Sequence, residues 1–458
     1  MKRFGYVSTA AALAIATAVS LPFTRATAQS TPAGSAKVEL PGTLAGRTVA
    51  EWLDAWNSGD SVKLGEYYKK WHLQRSLAAQ MERRRMTGAF DVVSIERSEP
   101  RLLEFVVKER NTPNTAFTII EIAPGDTTLT QSFLSRIPPG KSAADFRIDA
   151  ATRKRVIEEG IAQLDSSYVF PDVAARMAAA VRAHLKRGDY DRITNGVTFA
   201  ERVTDDLREV SHDLHLGVDF APAGVPDERQ GGPSPEDVGR FRRQMETLNC
   251  GFVKAEILGG GFVPMGGAPQ NVGYLKFNFF ADTALCAPTA SAAMNFIANT
   301  DALIIDLRQN GGGQPGMVAY VSSYLFDART HLNDLWTRRT NHTEEFWTGD
   351  VPGKRFGGTK PVYVLTSRNT FSGAEEFTYN LKNLKRATII GETTGGGAHP
   401  VRGHKIDARF MIGVPFARAI NPISKSNWEG IGVEPDVKVP ADDALATAQR
   451  LIAERVRP

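Results

Sequence analysis

Ser372 stands where an apolar strand gives way to a helix, a place from which a hydroxyl can act as a nucleophile. Val362 to Leu365 is a short apolar run, Thr366 to Thr370 is turn-like, and Phe377, Leu381 and Leu384 recur at i, i+4 and i+7. A serine in the first helical turn lies among backbone N–H groups that lack helical acceptors, at the positive end of the helix dipole. Such donors can hold an oxyanion while the hydroxyl attacks a carbonyl. Serine also strongly favours helix N-caps, so the residue type alone reads first as a structural cap.

A second feature is Asp306-Leu-Arg-Gln-Asn-Gly-Gly-Gly-Gln-Pro-Gly316. Three consecutive glycines after a buried strand imply positive φ or very close backbone approach. A phosphate-cradling loop does not fit, because Gly-x-Gly-x-x-Gly spacing is absent and no Lys-Ser/Thr follows. A backbone surface that receives an oxyanion or an extended peptide fits better, with a structural tight turn as the alternative.

Asp306-Leu-Arg-x-Asn-Gly-Gly-Gly, Thr370-Phe-Ser-Gly-Ala-Glu375, Gly391-Glu-Thr-Thr394 and Gly430-Ile-Gly-Val-Glu-Pro-Asp436 follow one another in the chain. Together with Tyr168-Val-Phe-Pro-Asp172 and Ser211-His-Asp-Leu-His215, they resemble the tail-specific, or C-terminal-processing, serine peptidases. The branch resembled is the bacterial one related to interphotoreceptor retinoid-binding protein and the tricorn core, over residues 150 to 445. The resemblance implies a ββα-spiral, crotonase-like α/β core beside a helical subdomain. It casts Ser372 as nucleophile and the N–H of Gly373, with that of Gly312 or Gly313, as the oxyanion hole.

The base departs from the serine–lysine pattern. Where those peptidases carry lysine after Gly-Glu-Thr-Thr, this chain reads Gly395-Gly-Gly-Ala-His399, with Gly397 at the lysine position. The tricorn-like pattern instead implies His215 as base and Glu429 as the carboxylate that orients it. Histidine titrates near neutrality, and a carboxylate can fix its tautomer. The serine that precedes the histidine in that pattern is Leu214 here, so direct Glu429–His215 pairing or a bridging water has to replace it. His399 is the alternative base, and His212 reads as helix surface. Glu375 is expected to support the turn, Arg308 and Asn310 to brace the glycine loop, and Lys382 and Lys385 to face solvent.

The elements that carry these residues read as α/β. From Asn271 onward strands and helices alternate: strands at 272–280, 302–307, 387–391 and near 410–414, and helices at 289–297, near 317–326 and after Ser372. The catalytic core is placed at 271–445. Residues 146–220 form a helical subdomain, and 221–270 a linker with strands, too short and loop-like for an internal PDZ domain. Residues 43–140 read as helices followed by an antiparallel meander. Their Glu51-to-Asp60 helix–break–helix resembles the opening of the cone-like nuclear-transport-factor fold.

Lys2 and Arg3, the apolar stretch Ala10 to Leu21 and Ala26-Thr27-Ala28 read as a signal peptide, residues 1–28, cut before Gln29. Residues 29–42 are a Ser/Thr/Pro-rich flexible start. Periplasmic or secreted location, without stable membrane insertion, is the expectation. A net charge of +4 over 458 residues is too weak to argue for nucleic acid. Cys250 and Cys286 cannot form a zinc site unaided, and export permits but does not require a disulfide between them. These readings point to a serine-type peptidase acting on protein or peptide substrates, with no metal or organic cofactor needed. A non-catalytic binder of retinoid or fatty acid on the same fold, or an esterase or amidase, is the rival reading. Oligomeric state is left open.

Overall fold

Side-chain caps start the first three helices of the computed structural model, which describes residues 38–73, 75–125, 128–227, 232, 234–259 and 271–455. The signal peptide expected at 1–28, and the flexible start as far as residue 37, lie outside the described residues. Thr43, Asp60 and Ser76 cap α1 (Leu44–Ser58), α2 (Ser61–Lys70) and α3 (Leu77–Thr87) by accepting backbone N–H bonds. The chain then forms an antiparallel meander of β1 (Phe90–Ser98), β2 (Leu102–Glu109), β3 (Thr115–Ile122) and β4 (Leu129–Arg136). Trp52, Trp56, Leu64 and Tyr67 from the helices share a buried cluster with Phe90, Phe105 and Ile120 of the sheet. This is the small α+β unit that the sequence pattern suggests.

Helices α4 (Ala150–Ser167), α5 (Pro171–Arg187) and α6 (Gly196–Ser211) follow. Val156, Ile161, Met177, Val181, Phe199 and Leu207 make their common core. β5 (Gly217–Phe220) leaves this bundle, and α7 (Pro235–Thr247) begins after Ser234. α7 places a helix in the region expected to be a linker with strands. Val238, Phe241, Met245 and Leu248 recur at i, i+3, i+7 and i+10, yet of the helix itself only Met245 is buried.

The core sheet contains β6 (Phe252–Leu258), β7 (Val272–Phe277), β8 (Ala302–Asp306), β11 (Val362–Thr366), β12 (Thr388–Gly391) and β16 (Val437–Lys438), in the order β16-β12-β11-β8-β7-β6. Alternation divides it cleanly. Leu303, Ile305, Val362 and Val364 face α8 (Thr283–Ile297), α9 (Pro315–Ser323) and α10 (Gly373–Asn383). Ala302, Ile304, Tyr363 and Leu365 face α11 (Ala444–Arg455) on the other side. α8 begins six residues earlier than the periodicity suggests, capped by Asp282 and passing through Pro288.

Two small sheets flank this core: β9 (His331–Thr337) between β10 (His342–Trp347) and β15 (Ala417–Ile420), and β14 (Phe410–Pro415) between β13 (Val401–Lys405) and β5. The β14–β5 ladder matters most for the site. It pairs Gly413 with Gly217 and so ties the helical bundle to the core two residues after His215. No helix among the described residues is long and apolar enough to cross a membrane.

Cys250 and Cys286 are joined as a disulfide, with Cα atoms 5.6 Å apart and a sequence separation of 36. It staples the approach to β6 onto α8. Replacing both cysteines with serine should lower unfolding stability by roughly 2–4 kcal/mol, as closure of a loop this size implies. Urea denaturation of the oxidised chain and the double variant measures it.

Glu376 on α10 is 4 % exposed, beside Asn333 and without a basic ion-pair partner among the described residues. Burial pushes its carboxyl up to about 8, and the neighbouring Asn333 amide opposes that rise. The folded chain therefore keeps a proton that the unfolded chain loses near its ordinary value of 4.5. This contribution to stability is full at acid pH and is lost as pH rises through the folded value. Glu376→Gln should flatten the decline of Tm between about pH 4.5 and 8. An undiminished slope would contradict it.

Candidate active site

The turn from β11 into α10 is strained at Ser372, whose φ of 53° and ψ of −121° are rare for a residue with a Cβ. Such a conformation costs on the order of 1–3 kcal/mol, so the surroundings must impose it. Thr370 sends its hydroxyl to the Leu307 carbonyl at 2.8 Å, and the Phe371 N–H donates to Asn310 O at 3.0 Å. Asn310 also reaches back, donating to Phe277 O at 2.9 Å and accepting from Gly312 N–H at 2.9 Å. Asn310 thus braces the loop as expected. Arg308 pairs with buried Asp306 at 2.7 Å and donates to Ala441 O.

The glycines are required by contact. A Cβ on Gly312 would fall 2.6 Å from Ser372 Cβ, and one on Gly313 only 2.1 Å from Phe280 O. Gly312 and Gly313 have φ of 103° and 136°. The Gly312 N–H is already committed to Asn310, whereas no described residue accepts from the N–H of Gly313 or Gly373. A Cβ on Gly373 would lie 3.0 Å from Gly313 N, so the two free donors are close neighbours beside the serine.

Glu375 locks this turn to the Gly395–Gly397 loop. Its carboxylate accepts from Ser372 N–H at 2.8 Å, Gly396 N–H at 2.6 Å, Gly397 N–H at 2.8 Å and Thr394 Oγ1 at 2.5 Å. Burial raises its proton affinity while these four donors oppose that rise. Trp428 completes the loop by donating to Gly397 O at 2.7 Å.

His215 lies against this assembly. Its ring centroid is 4.7 Å from that of Phe371, the residue before Ser372. Its Cε1 would be 2.6 Å from a Cβ on Gly397, and Phe371 Cζ only 2.3 Å from it. A lysine at 397 and the imidazole at 215 therefore compete for one volume. Burial holds the His215 ring down to about 4; Asp213 counteracts this, and His399 and Arg208 reinforce it. Among the described residues His215 Nδ1 is sealed from solvent without a partner, and no hydrogen bond links the ring to Ser372 Oγ.

Glu429 does not hydrogen-bond to His215. Its Oε2 accepts from Ala398 N–H at 2.5 Å and lies 3.4 Å from His399 Nδ1, while Oε1 is buried and unpartnered. His399 is 4 % exposed, packs edge-on against Phe170 and places Nδ1 2.8 Å from Asp213 Oδ2. Tyr168 OH donates to the same Asp213 oxygen at 3.2 Å, and Asp213 Oδ1 accepts the His215 backbone N–H at 3.0 Å. Burial and the Asp213 charge push Glu429 up to about 7, against His399 and the Ala398 N–H.

Two clusters thus meet. Ser372, Gly373, Gly313 and His215 surround the turn, and Asp213, His399 and Glu429 form a buried set beside it. Sequence reasoning overlooked Asp213, although its place two residues before His215 in Ser211-His-Asp-Leu-His215 was the available signal. Leu214 points outward at 45 % exposure, and His212 is an exposed left-handed helix cap. Lys382 donates to Glu434 O and pairs with Asp436 at 3.1 Å, away from the turn, while Lys385 is exposed.

Residues 271–439 match the model of peptidase family S41, and residues 150–246 match the N-terminal domain of that family in eukaryotic IRBP. A chloroplastic C-terminal processing peptidase of Tetradesmus obliquus is 27 % identical over 234 residues, 51 % of this chain and 49 % of its own length. A chloroplastic carboxyl-terminal-processing peptidase 2 of Arabidopsis thaliana is 25 % identical over 176 residues, 38 % of this chain and 33 % of its own. The chain therefore spans half or less of the curated relatives it matches. Among solved structures, a photosystem II D1 C-terminal processing protease gives a TM-score of 0.40 at 18 % identity, covering 64 % of this chain and 94 % of that one. The tricorn protease gives 0.40 at 13 %, covering 80 % and 41 %.

The steric exclusion at Gly397 is directly testable. Gly397→Ala should displace the His215 or Phe371 ring and reduce labelling of Ser372 by a serine-directed fluorophosphonate about 100-fold, as misplacement by ~1 Å commonly does. Labelling at the unsubstituted rate in a variant of unchanged Tm would show that the contact does not constrain the ring.

Proposed function

From a chain that belongs to peptidase family S41, we propose an exported serine-type peptidase that hydrolyses peptide bonds through an acyl-enzyme at Ser372. The observation that carries this reading is the pair of uncommitted N–H groups of Gly313 and Gly373 beside a strained serine.

Ser372 Oγ attacks the scissile carbonyl carbon while His215 accepts the hydroxyl proton. The carbonyl π electrons move onto oxygen, and the N–H groups of Gly313 and Gly373 hold the resulting oxyanion. Gly312 shapes the hole and is not a donor to it. Collapse of the tetrahedral intermediate breaks the C–N bond, and imidazolium gives its proton to the departing amine. Water then attacks the ester with His215 again as base, releasing the acid and restoring the serine. Neither a metal nor an organic cofactor is required by these steps.

His215 is favoured over His399 as base because its ring touches Phe371 and the Gly397 wall of the turn. His399 is instead engaged by two carboxylates. Glu429 is assigned as the carboxylate that orients His215 through one intervening water. Both His215 Nδ1 and Glu429 Oε1 need a partner, and both flank the Gly397–Ala398 segment. The substrate is protein or peptide, a reading that rests on the family. Export rests on the leader pattern at residues 1–28.

Ser372→Ala should abolish fluorophosphonate labelling and peptide turnover. His215→Gln should lower kcat by about 10³–10⁴ while leaving the fold intact. Labelling that persists in Ser372→Ala would remove the serine from this role. A wild-type chain that binds retinoid or fatty acid but never labels would favour the non-catalytic reading, and turnover of esters alone would favour an esterase.

A further inference from the structure

We propose that Asp213 and His399 are positioning residues that set the charge of Glu429 and, through it, the pH range over which His215 can serve as base. This inference rests on the assignment of Ser372, His215 and Glu429 given above, and it extends that assignment to two residues with no role in the mechanism so far.

The geometry is a closed set. His399 Nδ1 lies 2.8 Å from Asp213 Oδ2 and 3.4 Å from Glu429 Oε2, so one imidazole faces two carboxylates. Asp213 and His399 are 1 % and 4 % exposed, which leaves little water to screen their charges. Asp213 also grips the base itself by accepting the His215 backbone N–H through its other oxygen. A single carboxylate therefore touches the base's main chain, the Tyr168 hydroxyl and the imidazole beside Glu429.

Consider the charges that act on Glu429. Asp213, from the turn between α6 and β5, and Glu375, from α10, are anionic and oppose its ionisation. His399 and the Ala398 N–H, from the loop after β12, favour ionisation. The groups acting on His215 are Asp213, His399 and Arg208. Two crowded carboxylates do not both ionise without compensation, and the His399 ring, held against both, is a basic group placed to supply it. Glu429 can then accept from the water that joins it to His215. If Glu429 is protonated instead, its oxygen no longer stabilises the imidazolium formed at His215, and the base is weakened.

This makes the two neighbours act with opposite signs. Loss of the ring at 399 leaves Glu429 facing Asp213 and Glu375 without the group that favours its ionisation, so it holds its proton to higher pH. Loss of the anion at 213 leaves Glu429 paired with His399, so it releases its proton at lower pH. A residue that merely supported the fold would not move the pH profile in opposite directions.

The test is the pH dependence of the second-order rate at which fluorophosphonate labels Ser372, in wild type, His399→Gln and Asp213→Asn. The acid limb should move to higher pH in His399→Gln, giving about a tenfold loss below the wild-type limb. It should move to lower pH in Asp213→Asn. In a Glu429→Gln background neither substitution should shift it. Limbs that stay in place, or that move in the same direction, overturn the inference while leaving Ser372 as nucleophile. Absence of Ser372 labelling in wild type at every pH fails the underlying assignment, and this inference with it. If either variant does not fold, 15N-histidine spectra of the wild-type chain and of Glu429→Gln decide. The His399 ring resonances should follow the acid limb and lose that step in Glu429→Gln, and ring resonances that do not respond to Glu429 overturn the proposal.

Discussion

A single buried carboxylate holds the site together. Glu375 gathers the N–H of Ser372 and the donors of Thr394, Gly396 and Gly397, so the strained serine and the glycine loop are fixed to each other by one side chain. Because Glu375 lies three residues into α10, the helix that presents the serine also supplies the group that binds the loop. The positive φ at Ser372 is sustained by this network together with the Thr370 and Phe371 contacts to the preceding loop. The loop in turn makes the wall on which the His215 ring rests.

That wall accounts for the glycine at position 397. The space a longer side chain would need is filled by an imidazole from the helical bundle and by Phe371. Charge then follows from packing. His215 is kept neutral by burial, and a second imidazole sits among carboxylates a short way off. Two histidines in one neighbourhood thus experience opposite fields, one starved of counter-charge and the other surrounded by it.

The strand-to-helix turn at Ser372 and the glycine run after β8 were legible because both are written in local chemistry: β-branched runs, turn residues and consecutive glycines. The alternation of β7, β8, β11 and β12 with their helices was legible for the same reason. α7 was not, because its apolar positions Val238, Phe241 and Met245 follow a stretch rich in Pro, Gly and charge that reads as linker, and most of that stripe stays exposed. Nor could spacing reveal that the His399 imidazole approaches Asp213, 186 residues earlier in the chain. Contacts between distant segments leave no periodic trace, and a polar side chain looks the same in sequence whether it is solvated or sealed. Family resemblance pointed to Glu429 but not to the neighbours that surround it.

The β14–β5 ladder has a mechanical consequence. The alcohol belongs to the core around the large sheet, whereas the imidazole belongs to the separately packed helical bundle. Because β14 packs Phe410, Ile412 and Val414 into the bundle, their alignment is a property of the seam crossed by the Gly395–His399 loop that leads to β13 and by Arg338 to Tyr168 O. A wedge that pried this join apart by an ångström would carry the imidazole away from the serine turn while leaving both bodies packed, so the seam is the natural place for an inhibitor that never meets the serine.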